Sequence, residues 1–268
     1  MRKIVGLALI AVLLAGSFAA CAKKSEEKLI CGVTEFEPMN YRDSSGNWTG
    51  FDTEFARLVG AKLGMEVEFQ QIEWSRKFID LKAGTINCIW NGMTANVVDS
   101  VTGRPRYEDV DFTYSYMLNQ QAVVIRAARS GDFQSINDLT GKTVAAEAGS
   151  AGETIAREAV GESGRFIGST AQIDTFIEVK SGAVDFALID VLLAEQLAGT
   201  GDNSDLMIAN IEMPSEVYAI GFPKGSPLVA RVNQAVAELF EEGEMQRLAV
   251  KYGLDTSLKL GTTRIEDL

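Results

Sequence analysis

Leu29-Ile30-Cys31-Gly32-Val33 and Val67-Glu68-Phe69-Gln70-Gln71-Ile72 are two short runs rich in apolar and β-branched residues, and a helical pattern lies between them. Phe55, Leu58, Val59 and Leu63 fall on one face at a period near 3.6, with Asp52 placed to cap that helix and Gly64 to stop it. Strand, helix, strand in that order is the βαβ unit, whose helical crossover sets its two strands parallel. The alternation continues along the chain. Further strand-like runs occupy 88–90, 122–125, 143–146, 186–189, 206–211 and 218–222. Trp74, Phe78 and Leu81 mark a second helix closed by Gly84. Ser150-Ala151-Gly152-Glu153 has capping-box spacing and opens a third, and Ile173, Phe176, Ile177 and Val179 define a fourth ending near Gly182. Ser226-Pro227 starts the last long helix, through Val229, Val232, Val236, Leu239 and Phe240 to Gly243. The fold class is α/β, with mostly parallel sheets flanked by helices. Ligands of such sheets sit beyond the carboxyl ends of the strands, near helix N-termini.

Ahead of the first strand lies a segment of another kind. Met1-Arg2-Lys3 is positive, residues 4–15 are apolar but too few to span a bilayer comfortably, and Ala19-Ala20 are the small residues a signal peptidase needs. Cys21 follows, then Ala22-Lys23-Lys24-Ser25-Glu26-Glu27-Lys28. The arrangement resembles a bacterial lipoprotein signal, although Phe18 stands where that family usually has Leu. The resemblance implies that residues 1–20 are removed, that Cys21 is acylated as the new N-terminus, and that 21–28 form a polar tether. An ordinary secretory signal cut nearby is the alternative; on either reading the chain is exported.

Removal of residues 1–20 leaves 248 of 268 residues, enough for one large domain or two ordinary ones. Arg2 and Lys3 leave with the signal, so 23 basic residues face 37 acidic ones and the formal charge is −14. Nucleic-acid binding, which needs basic surface, is disfavoured. The chain contains no histidine. That removes Ser-His-Asp and Cys-His nucleophiles together with the commonest metal ligand, so neither a metal site nor a cofactor is expected. Cys31 and Cys88 both lie in strand-like runs. Export permits a disulfide, but neighbouring parallel strands rarely offer its geometry, and buried free thiols are expected.

The residues just after each strand carry a second resemblance. Phe36-Glu37-Pro38-Met39-Asn40-Tyr41 with Gly50-Phe51-Asp52, Cys88-Ile89-Trp90-Asn91-Gly92-Met93-Thr94, Asp185-Phe186-Ala187-Leu188-Ile189-Asp190 and Ile220-Gly221-Phe222-Pro223-Lys224-Gly225-Ser226 occur in the order and spacing of the polar amino-acid-binding proteins of bacterial ABC transporters, the family 3 solute-binding proteins. The likeness runs from about Leu29 to Gly253. It implies a two-lobed periplasmic-binding-protein-like fold that closes on one free polar L-amino acid. Lobe 1 would comprise 29–122 and 217–268, and lobe 2 would comprise 123–216. Two crossing hinge strands are expected near 122–126 and 217–221.

A free amino acid brings two opposite charges, and burying both requires hydrogen-bonded partners for each. The start at Gly149-Ser150-Ala151-Gly152 suits a carboxylate, through the Ser150 hydroxyl and the Ala151 N–H. Asp190 ends a strand before a helix; the family places its ammonium-binding aspartate there. Asn91, Gly92 and Thr94 follow a strand end, and Phe36 and Trp74 fall where the family has aromatics that sandwich the ligand. The carboxylate-binding arginine usually stands about five residues after the threonine matching Thr94, where this chain has none. Counting back from Val110-Asp111-Phe112 puts Arg106 in register, with Arg104 second and about seven residues inserted. Glu37, Asn40, Lys77, Asn119 and Gln120 are read as solvated surface rather than pocket.

The function implied is that of a lipid-anchored, monomeric, non-enzymatic binding component delivering an amino acid to an ABC permease in the cytoplasmic membrane. Two other functions fit the same fold: a dehydratase of small carboxylic acids, and a ligand sensor working through a receptor partner.

Overall fold

The computed structural model describes residues 28–268. The signal segment, Cys21 and the rest of the expected tether as far as residue 27 lie outside the described residues. From Lys28 the chain forms β1 (Lys28–Val33), the short hairpin β2 (Tyr41–Arg42) and β3 (Trp48–Thr49), α1 (Phe51–Leu63) and β4 (Glu66–Gln71). It continues through α2 (Lys77–Ala83), β5 (Cys88–Ile89), α3 (Arg106–Asp109), β6 (Val110–Phe112) and the ten-residue β7 (Met117–Arg126). Then follow β8 (Thr143–Glu147), α4 (Ala151–Val160), β9 (Arg165–Ser169), α5 (Asp174–Ser181), β10 (Phe186–Asp190), α6 (Val191–Leu197) and β11 (Leu206–Ile208). The last elements are β12 (Ser215–Tyr218), β13 (Gly221–Pro223), α7 (Leu228–Glu241) and α8 (Glu244–Tyr252).

Two sheets organise these elements, one in each lobe. The first has the order β4-β1-β5-β13-β6, and the second β11-β7-β10-β8-β9. The opening βαβ unit sets β1 and β4 parallel in register, Lys28 opposite Glu66 through Val33 opposite Gln71. In the second sheet β10, β8 and β9 are parallel, whereas β7 runs antiparallel to β10 and β11. Strands at the centre of this sheet are apolar on both faces because helices and loops cover both. Val123, Ile125, Phe186 and Leu188 face one cluster, and the alternating Ala122, Val124, Ala187 and Ile189 face the other. Each large side chain so buried stabilises the fold by about 1.5–3 kcal/mol relative to exposure. A larger cluster holds lobe 1, where Phe55 and Trp90 pack edge to face at 5.0 Å with α7 and α8 laid over them.

Several local expectations are corrected. Asp52 does not cap α1: Gly50 is the N-cap, and the buried Asp52 carboxylate turns inward instead. Gly50 has φ +111°, and an added Cβ would stand 2.4 Å from the Met39 carbonyl oxygen, so the close approach of two backbones fixes the helix start there. The run expected at 218–222 is two strands, because the chain passes from β12 to β13 through Ala219-Ile220. The crossing pair also lies earlier than expected. Ser215–Tyr218 pairs antiparallel with Met117–Gln120, while residues 122–126 belong wholly to the second sheet beside β10 and β11. β7 is long enough to serve both lobes, and its apolar second half marked the sheet strand rather than the crossing. Strands β6 and β9 had no sequence signal: Arg165-Phe166-Ile167-Gly168-Ser169 has only two large apolar residues, consistent with an edge strand.

Cys31 and Cys88 occupy facing positions on β1 and β5 with sulfurs 3.5 Å apart, and both are buried free thiols. Among the described residues no helix is long and apolar enough to cross a membrane, and no cluster of metal-binding side chains occurs.

Candidate functional site

The carboxyl ends of β1, β5, β8 and β10 point toward one narrow chamber between the lobes. From lobe 1 it is lined by Phe36, Trp74, Asn91, Gly92, Thr94 and Arg106, and from lobe 2 by Ser150, Ala151 and Asp190. These are the nine residues singled out in the sequence for the ligand. Thr34, Glu147 and Gln172 complete the lining and were not foreseen.

Each wall follows from local geometry. Asn91 ties the exits of β1 and β5 together: its side-chain oxygen accepts from the Thr34 N–H at 3.0 Å and the Thr34 hydroxyl at 2.6 Å. Gly92 adopts φ +53°, and a Cβ there would meet the Phe36 ring at 2.6 Å, so the aromatic wall and the turn require glycine together. Its N–H donates to Asp52 Oδ2 at 2.6 Å, and the Tyr116 hydroxyl donates to the same carboxylate. The inward turn of Asp52 thus fixes the turn at Gly92. On the opposite lobe Ser150 Oγ caps α4 by accepting from the Glu153 N–H at 3.1 Å. Glu153 Oε2 reaches back to the Gly149 N–H rather than to Ser150 itself. The start of α4, with Ala151 beside it, therefore faces the chamber as a rigid positive helix end.

Arg106 opens α3 and is fully buried. Its Nε donates to Asp99 Oδ2 at 3.2 Å, Nη1 to the Thr94 carbonyl at 2.7 Å and Nη2 to the Gly149 carbonyl at 2.9 Å. One N–H on each terminal nitrogen is left over from these bonds. Arg104 points elsewhere, pairing with Asp109 at a half-exposed position. Lys77, read from sequence as solvated, is buried; its Nζ stands 2.9 Å from both Asp99 Oδ2 and the Gly149 carbonyl. Burial pushes the Asp99 carboxyl up, but Lys77 and Arg106 outweigh it and hold it below its usual range. Burial and the neighbouring Arg106 lower Lys77 to about 8. Asn40 and Asn119 are buried as well, whereas Glu37 and Gln120 are exposed.

The residues between Thr94 and Arg106 carry much of the contact between lobes. The Val98 carbonyl accepts from Thr154 at 2.9 Å, the Ser100 hydroxyl donates to Glu153 at 2.9 Å, and Asp99 lies beneath them. Together with the bonds of Arg106 and Lys77 to Gly149, they hold the two lobes in contact across one side of the chamber.

Asp190 lies at the other end of the chamber. Oδ1 accepts from Asn119 at 2.5 Å, Tyr218 at 2.5 Å and Gln121 at 3.4 Å, and Oδ2 accepts from Gln172 at 2.6 Å. Burial nevertheless raises its proton affinity. Behind it Glu216 Oε2 accepts from Thr94, Asn119 and Gln121, while Oε1 has no partner among the described residues.

Burial lifts Asp52 to about 7, Glu216 to about 7 and Glu147 to about 8. A carboxyl whose pKa is raised by folding binds more protons in the folded than in the unfolded chain between its two pKa values. Stability therefore falls as pH rises from about 4 through about 8. The carboxyls held low by folding lose their contribution only in more acid solution, and Lys77 acts only above about pH 8. The melting temperature is expected to be roughly 5 °C or more higher at pH 5 than at pH 8, since each kcal/mol moves a chain of this size by about 2–4 °C. A thermal scan in which pH 8 gives the higher melting point would contradict these assignments.

Two α/β lobes, joined by crossing strands and opposing an arginine and a helix start to a buried aspartate, define a solute-binding protein. The chain belongs to the bacterial extracellular solute-binding proteins, family 3, whose model matches residues 29–255. It is 28% identical over 240 residues to the arginine-binding extracellular protein ArtP of Bacillus subtilis, covering 88% of this chain and 90% of that one. An ABC uptake transporter substrate-binding protein from Streptococcus pneumoniae with bound histidine superposes with a TM-score of 0.75 at 31% identity, covering 87% of this chain and 95% of the other. An ancestral arginine-binding protein bound to arginine gives a TM-score of 0.77 at 27% identity, covering 85% and 98%.

Proposed function

We propose that the protein is the substrate-binding component of an amino-acid ABC importer, trapping one polar L-amino acid between its lobes. The observation that carries this reading is the opposition of charges across one buried chamber. Arg106 and the start of α4 supply donors for a carboxylate, and Asp190 supplies an acceptor for an ammonium group. Phe36 and Trp74 cover the apolar part of such a ligand, and Asn91, Gly92, Thr94, Ser150 and Ala151 meet its backbone. The chain divides near 122 and 217, so that closure is a rotation about the paired segments of β7 and β12. Binding favours the closed arrangement by population shift, and the permease in the cytoplasmic membrane reads that arrangement. Acylated Cys21 tethers the monomer to the outer face of that membrane or within the periplasm.

The test is calorimetric titration of mature protein, unfolded and refolded to strip carried-over ligand, with the twenty L-amino acids. One or a few are expected to bind tightly at one to one. Silence across the panel, or turnover of a small carboxylic acid, would overturn the transport reading.

A further inference from the structure

Glu147 ends β8, lines the chamber and is 4% exposed. No donor among the described residues hydrogen-bonds to its carboxylate, whereas Asp190 beside it accepts four bonds. The nearest cations are Lys77 and Arg106, and both share Asp99. The balance of charge is then simple. A zwitterionic ligand sets its carboxylate against Arg106 and its ammonium against Asp190, Lys77 and Asp99 cancel, and Glu147 remains as a negative group without a counterpart. Burying an unpaired charge is costly, so the empty protein holds this group neutral. Burial raises it to about 8; Asp190 on β10 and Asp174 on α5 push the same way, against Lys77 on α2 and Arg106 on α3. Phe36 and Trp74 line the same chamber, and aromatic rings attract cations.

We infer that Glu147 selects the ligand's side chain, and that the cargo is an amino acid carrying a second positive group, a guanidinium or an ammonium. The inference rests on the reading of the chamber as an amino-acid trap. A cation there supplies the missing partner and draws the proton off Glu147, so binding releases a proton to solvent at neutral pH. Neutral side chains of similar length leave the carboxyl protonated and release none.

The experiment titrates ligand-stripped protein with L-arginine, L-lysine, L-citrulline and L-glutamine, in two buffers of different ionisation enthalpy. L-Arginine or L-lysine is expected to bind roughly tenfold or more tighter than L-citrulline and L-glutamine. Its binding at pH 7 is expected to release up to about one proton. Glu147→Gln keeps the shape of the neutral carboxyl, so its melting temperature is expected to stay near the parent's. It should lose affinity for the cationic ligands by roughly tenfold or more, abolish the proton release and bring the cationic-to-neutral affinity ratio down toward one. Equal or tighter binding of the neutral pair, or cationic binding indifferent to Glu147→Gln, overturns the inference while leaving the amino-acid trap intact. Silence toward all twenty L-amino acids overturns the trap itself.

Discussion

Replacing Asp190 with alanine is expected to weaken amino-acid binding by roughly 30- to 5,000-fold, the equivalent of about 2–5 kcal/mol. On the reading proposed above the carboxylate accepts from the ligand's ammonium, and its two oxygens are oriented by donors from three directions: Asn119 and Gln121 on β7, Tyr218 on β12 and Gln172 before α5. Its removal leaves an ammonium group in a chamber where water cannot replace the lost partner. It also leaves these donors without their common acceptor, so part of the cost falls on the empty protein and the melting temperature should drop. Asp190→Asn separates the two contributions, since the amide keeps the volume and an acceptor oxygen but carries no charge. It should fold more stably than the alanine variant and still lose most of the affinity. Calorimetry on both variants, with circular dichroism to follow folding, makes the comparison. An affinity within about threefold of the parent's for either variant is incompatible with Asp190 as the ammonium partner.

The legible parts of the fold were those that apolar periodicity dictates. β1, β8 and β10 stood out because strands buried on both faces are almost continuously apolar, and β4 because Val67 and Phe69 alternate with polar residues at a sheet edge. The chamber was legible for two different reasons: strand ends and helix starts converge in an α/β sheet, which places Asn91 to Thr94 and Ser150, whereas Asp190, Phe36, Trp74 and Arg106 rested on the family resemblance. What sequence could not carry was long-range pairing. Lys77 reads as an exposed lysine one turn after Trp74 until Asp99, 22 residues on, is folded against it. Asp52 reads as a helix cap until Tyr116 and Gly92 are seen to bond it. Glu147 reads in sequence as the polar residue that follows an apolar strand ending at Ala146. One further residue of β8 places its carboxylate in the chamber, and a polar residue ending an apolar strand was the available signal. The segment between Thr94 and Arg106 contacts α4, and that contact depends on the other lobe.

The segment after Thr94 carries two arginines, Arg104 and Arg106, and substitution of each separates them. Arg106→Lys is expected to weaken amino-acid binding by roughly 30- to 150-fold, about 2–3 kcal/mol, while Arg104→Ala leaves affinity unchanged. The Arg106 guanidinium is buried, bonded to Thr94 and Gly149 on opposite lobes, and retains an N–H on each terminal nitrogen. Lysine keeps a positive charge near Asp99, so the fold should survive, but a single ammonium cannot reach Asp99, two carbonyls and a ligand carboxylate together. Arg106→Ala goes further: with Lys77 alone left against the buried Asp99, it is expected to cost about 3–5 kcal/mol of stability as well as binding. Arg104 is 53% exposed in its side chain and engages Asp109 away from the chamber, so its loss should move neither quantity. Binding lost in Arg104→Ala and kept in Arg106→Lys would exchange their roles and require a different path for that segment. The predicted pattern would instead tie the segment between Thr94 and Arg106 to the site, since it delivers the arginine and supplies the aspartate that holds it.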